Sequence, residues 1–102
     1  MATVYITEFA GYGIDTLGRD TVAPKQMTVA EQTVAIAVGS TQSAALNAQT
    51  TLVRVHADAI CSVAFGVNPT AAATNMRMAA GQTEYFTVQQ NSGLKIATIT
   101  NT

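Results

Sequence analysis

Tryptophan is missing from this chain, cysteine and histidine occur once each, and only 11% of its residues are charged. Each scarcity removes a class of function. A lone cysteine, Cys61, rules out an internal disulfide. With one histidine beside it, no Cys/His set for a tetrahedral metal can be assembled either. An ordinary soluble domain carries charge on roughly a quarter of its residues. Here the five basic residues, Arg19, Lys25, Arg54, Arg77 and Lys95, are scattered and the formal net charge is -1. Phosphate binding needs clustered Lys and Arg, so nucleic acid is not an expected partner. No segment approaches the ~20 apolar residues of a membrane span, and no membrane partner is expected. The stretch MATVYITEFAG lacks the basic and long apolar regions of a secretory signal, so synthesis in a cytoplasm is the expectation.

What the chain does have is small. Of its 102 residues, 48% are apolar, mostly alanine and valine. That length suits one domain with one core. A core of small side chains is thin, which suggests that neighbouring subunits or a host surface contribute stabilisation. The surface must be largely Thr, Ala, Gln and Asn, a composition suited to packing against protein.

The hydrophobic pattern has period two nearly throughout, interrupted by turn signals at short intervals. It predicts an all-β fold: a single-domain antiparallel β-sandwich, jelly-roll-like, with an extended N-terminal arm or loop. Residues 1–27 supply a first strand, ATVYITEF, and the arm; residues 28–102 supply the sandwich core. Strands are expected at TVAEQTVAIAV, weakly at SAAL, and at TLVRVHA, AICSVAF, MRM, TEYFTVQ and GLKIATIT, about eight in all with the first. Helix is possible only at STQSAALNAQ or PTAAATNM, both short for independent helicity.

Alternation assigns faces. Val53, Val55 and Ala57 point inward, with Leu52, Arg54 and His56 outward. Cys61, Val63 and Phe65 form a second inward row, and Val34, Ile36 and Val38 a third. In the first strand Val4 and Ile6 oppose Tyr5 and Phe9; in TEYFTVQ, Phe86 and Val88 oppose Tyr85 and Thr87. Met76 and Met78 fall on one side of their strand and are expected in the core, with Arg77 opposite.

The one group resembling a catalytic set is RVHADAIC, with His56, Asp58 and Cys61 within six residues. Nucleophilic catalysis needs thiol and imidazole in contact. Period-two geometry sends His56 and Cys61 to opposite faces, so a solvent-facing histidine and an inert buried cysteine are expected. The glycines of GYGIDTLG have neither dinucleotide nor P-loop spacing. Glu8, Asp15, Asp20, Glu31, Asp58 and Glu84 show no calcium-loop spacing and read as solvated or turn residues. Neither enzyme activity nor a cofactor is expected.

The stretch LVRVHADAICSVAFGVNPTAAATNMRMAAGQTEYFTVQQNSGLKIATIT, Leu52 to Thr100, resembles small virion proteins of tailed bacteriophages. They share an Arg-containing strand, an FG-NPTA turn, an AGQ-E-F approach to a strand and a final GLKIA strand. Within that group the best fit is a capsid decoration, or cement, protein. The resemblance implies a jelly-roll-like sandwich bound in multiple copies to the outer face of the head, with the major capsid protein as partner. It also implies a homo-oligomer, a dimer or trimer at a symmetry axis. A head fibre, or a small tail or host-surface-binding component, is the alternative. A carbohydrate-binding sandwich would need exposed aromatics on one face, and only Tyr5, Tyr12 and Tyr85 qualify.

The segment AGYGIDTLGRDTVAPKQ carries Gly11, Gly13, Gly18 and Pro24, so no regular element can run far in it. Its Tyr12, Ile14, Leu17 and Val22 need cover. Together with Asn68 and Pro69 of the low-charge GVNPT turn, and Arg77, these are the expected capsid or subunit contacts.

Overall fold

The computed structural model describes residues 2–10, 12–14, 20–24 and 28–101, with side chains described for 2–10 and 28–101. These residues form ten strands and no helix. They are β1 (Thr3–Phe9), β2 (Tyr12–Ile14), β3 (Asp20–Pro24), β4 (Ala30–Ala35), β5 (Thr41–Gln42), β6 (Leu52–Ala57), β7 (Cys61–Gly66), β8 (Met76–Met78), β9 (Thr83–Thr87) and β10 (Lys95–Thr100). One four-stranded sheet has the order β4-β1-β6-β9 and a second the order β5-β10-β7-β8. All pairings in both are antiparallel. The two sheets enclose one core, in which Val4, Ile6, Val53 and Val55 from the first meet Cys61, Val63, Met78 and Ile96 from the second. The protein is thus a β-sandwich, and the N-terminal strand lies inside its first sheet.

Period two accounts for these strands. Val53, Val55 and Ala57 are fully buried, as are Cys61 and, at 2% exposure, Val63; Phe65, Phe86 and Val88 pack against them from the rim. The Phe65 and Phe86 rings meet at 5.0 Å, joining the sheets where β7 and β9 approach.

Several expectations are corrected. Val38 does not continue the Val34/Ile36 row: β4 ends at Ala35, the backbone bends at Val38, and its side chain is 86% exposed. Leu52 is buried rather than solvent-facing; it lies opposite Phe9, which is buried as well, so this end of the outer face is apolar and covered. Met78 is in the core, but Met76 on the short edge strand is half exposed, since the sheet ends beside it. Neither alanine-dense segment is helical. In the first, the strand is Thr41–Gln42 rather than SAAL, and the backbone follows β10 irregularly through Ser43 N–H to Ile96 O (2.8 Å) and Leu46 N–H to Leu94 O (2.8 Å).

Residues 67–75, which include most of the second alanine-dense segment, carry no charged side chain. They cross the outer face of the second sheet. Gln42 Nε2 donates to Asn68 Oδ1 (3.0 Å) and to Pro69 O (2.7 Å), and Ala71 N–H donates to Ser40 Oγ (2.8 Å). Further on, Ala73 O accepts from Ser62 Oγ (3.3 Å) and Asn101 Nδ2 (3.0 Å). Ser62 and Ala97 alternate with core residues, yet both are fully buried beneath this connection. Small side chains let the backbone lie close against the sheet.

The turn before β9 depends on a glycine. Gln82 N–H donates to Ala79 O (3.1 Å) across a four-residue turn whose third residue, Gly81, has φ +79°, the left-handed conformation a type II turn requires there.

The glycine-containing segment is more regular than its composition suggests. β2 and β3 pair antiparallel, Tyr12 opposite Pro24 and Ile14 opposite Asp20, with a register shift between. The resulting ribbon joins neither four-stranded sheet. It is inserted between the end of β1 and the start of β4, where Glu8 lies opposite Ala30. The chain ends lie at the other pole: Ala2 O accepts from Ile36 N–H (3.0 Å) and Ala37 O accepts from Thr100 N–H (2.9 Å).

Candidate functional site

The expected contact residues do not converge on one place. The backbones of Tyr12, Ile14 and Val22 lie in the ribbon, and Leu17 lies outside the described residues. Asn68 is exposed but bonded to Gln42, while Pro69 is buried against its own domain. Arg77 is exposed on β8, opposite Ser62 at the edge of the second sheet.

His56 and Cys61 are separated by the sandwich itself. His56 stands on the outer face of the first sheet, its Nδ1 2.6 Å from Thr83 Oγ1. Cys61 is fully buried in the core. Burial pushes the Cys61 thiol above its ordinary value; the neighbouring Thr98 hydroxyl pulls the other way without forming a hydrogen bond, and the Asp58 charge adds to the rise. A thiol that keeps its proton longer in the folded chain stabilises the fold below the ordinary thiol range, and that contribution is lost as pH rises through the raised value. Unfolding midpoints should therefore fall above about pH 9, and Cys61→Ala should flatten that fall while costing about 1 kcal/mol at neutral pH. Thiol labelling should be slow until the chain unfolds. Fast labelling of the native protein would contradict an inert cysteine.

Glu8 is the main correction among the carboxylates. Expected in solvent, it is 1% exposed, because it follows Val4 and Ile6 on the inward face of β1. Its Oε1 accepts from Asn47 N–H (2.7 Å) and Thr50 Oγ1 (2.8 Å), and its Oε2 from Gln32 Nε2 (3.2 Å). Gln32 in turn accepts Ala44 N–H (3.0 Å). The carboxylate thus holds the irregular 44–50 connection against β1 and β4. Charge-assisted bonds of this kind are what allow a carboxylate to be buried. Its role is structural.

The surface with the most recognition chemistry is the outer face of the first sheet. Register places Thr33, Tyr5, His56 and Thr83 in one row across the four strands, and Glu31, Thr7, Arg54 and Tyr85 in the next. Tyr5 is 45% and Tyr85 50% exposed. The Tyr5 and His56 rings lie 6.4 Å apart at 45°. A shallow groove of about 470 Å³ runs between Tyr5, Glu31, Arg54 and His56. Alternation alone shows Arg54 and His56 facing outward, but not that β1 and β9 flank β6 and complete the rows. Among the described residues no three His, Cys, Asp or Glu side chains come close enough to hold a metal, and no helix is long and apolar enough to cross a membrane. Compared with protein-family models, with curated proteins and with solved structures, the chain matches none.

Proposed function

We propose that the protein is a structural virion component of a tailed bacteriophage. On this reading it decorates the outer surface of the head and stabilises the shell through contacts with the major capsid protein. The observation that carries the proposal is the β2–β3 ribbon, a paired extension that belongs to neither sheet and leaves the sandwich at the pole away from the chain ends. Such an extension reaches a neighbour without disturbing the core. Tyr12, Ile14 and Val22 lie on it and supply its contacts. A partner that exists only on the assembled lattice adds stability by mass action, and several copies, as a dimer or trimer at a symmetry axis, multiply the effect. Nothing in this role requires turnover or a cofactor.

The strand order supports a jelly roll of unusual connectivity. Counting strands from β4, omitting the ribbon and placing β1 last, the sheet orders become 1-8-3-6 and 2-7-4-5, the interleaving of two Greek keys in an eight-stranded jelly roll. β1 then occupies the place of a final strand, next to the end of β10.

Deletion of residues 11–23 tests the proposal. Because Glu8 already lies opposite Ala30, the residues left between them suffice for an ordinary hairpin loop. The variant should melt cooperatively with a β-rich spectrum, yet fail to co-sediment with undecorated capsids that bind the parent chain. Unfolding of the variant, or undiminished binding, would each remove the ribbon from this role.

A further inference from the structure

The outer face of the first sheet has a composition that the decoration role does not use. Two half-exposed tyrosines lie on it in separate rows, each beside a polar side chain on β6: Tyr5 opposite His56, and Arg54 opposite Tyr85. Thr7, Thr33 and Thr83, with Glu31, fill the remaining positions of those rows, and in the adjoining row Thr87 stands beside the buried Leu52 and Phe9. We infer that this face is a saccharide-binding site, with Tyr5 and Tyr85 as platforms for sugar rings and Arg54, His56 and Glu31 as hydrogen-bonding partners of the hydroxyls.

The chemistry of the face selects this ligand over others. A sugar ring offers an apolar C–H face and an equatorial rim of hydroxyls that both donate and accept. Tyrosine matches the first, being a rigid ring with a polar tip. The rim is matched by five donors on Arg54, an acceptor carboxylate on Glu31 and threonine hydroxyls that do both. The contact between His56 Nδ1 and Thr83 fixes the imidazole and leaves Nε2 for a ligand. One cation and one anion border the groove, so its charge suits a neutral ligand. Nucleic acid would meet a single arginine with Glu31 two strands away in the same row. A stable protein interface has a contiguous apolar centre depleted of charge, whereas here Arg54 and His56 occupy the centre and the aromatics the flanks.

Geometry sets the ligand's size. Tyr5 and Tyr85 are two strands and two residues apart, roughly 12 Å from the usual strand spacing and rise. One ring cannot cover both, so the ligand is an oligosaccharide lying diagonally across β1, β6 and β9. The face is preorganised, because its inner side is the core of the sandwich.

Titration of the full-length chain, followed by amide chemical shifts, tests this with three soluble neutral probes: hexasaccharides of glucose, of N-acetylglucosamine and of mannose. At millimolar sugar at least one should shift amides of β1, β6 and β9 selectively. Tyr5→Ala and Tyr85→Ala, checked for unchanged melting, should each weaken that binding about tenfold. Absence of shifts with all three probes would overturn the inference, as would shifts centred elsewhere or affinity unchanged in both variants. The chain lacking residues 11–23 should bind the sugar as the parent does, which keeps this outcome independent of capsid binding.

Discussion

Val55→Asp is expected to abolish cooperative folding. Val55 is fully buried on β6, between Ile6 of β1 and Glu84 of β9 in register. An aspartate there would enter the apolar interior without a cationic partner and beside an existing carboxylate. The cost of an unpaired buried charge runs to several kcal/mol or more. A chain of this size has roughly 5–15 kcal/mol in total, and the small side chains of this core leave little surplus. The measurement is a urea or thermal melt followed by circular dichroism, where the variant should lack a transition. A soluble variant with a sharp transition near that of the parent would mean that the inward row on β6 is wrongly assigned.

Glu8→Ala is expected to cost about 3 kcal/mol, a loss large enough to read directly from the midpoint of a denaturant melt. The substitution strands a backbone N–H at Asn47 and a hydroxyl at the buried Thr50, and frees Gln32 on one side. Glu8→Gln should cost less. One oxygen remains for Asn47 and Thr50, but the new amide meets Gln32 Nε2, and turning Gln32 over would sacrifice its bond to Ala44 N–H. An alanine variant as stable as the parent would show that the 44–50 connection is held by other contacts.

These two positions also mark what could be read from the sequence. Val55 was legible because period two is a local property: Val53, Val55 and Ala57 alternate with Arg54 and His56, and burial follows from parity alone. Parity also places Glu8 with Val4 and Ile6, so its inward direction was available. Its partners were not, since Gln32, Asn47 and Thr50 lie 24, 39 and 42 residues along the chain. The binding face divides the same way. That Tyr5, Arg54, His56 and Tyr85 stand outward is local, but their meeting in two rows needs β6 to lie between β1 and β9, a fact of long-range pairing. Val38 shows the converse limit, where an apolar pattern outlasts the strand: Gly39 marks the bend, but not that it already takes in Val38.

The two poles of the sandwich have a mechanical consequence. β1 begins beside the chain ends and hands the chain to the ribbon at the opposite pole, flanked along its length by β4 and β6. A load applied between the N-terminus and the ribbon therefore runs along β1. Interstrand hydrogen bonds lie across that direction, so the six register pairs with β4 and the six with β6 are loaded in parallel, as in shear. A load applied between the two termini acts at one pole only. It draws β1 and β10 apart in different sheets and opens their contacts one after another, as a zip opens. Resistance to force is set by the unfolding rate under load, and that rate differs between the two directions. The molecule is stiff as a tether from the ribbon to the N-terminus and weak as a link between its own two ends.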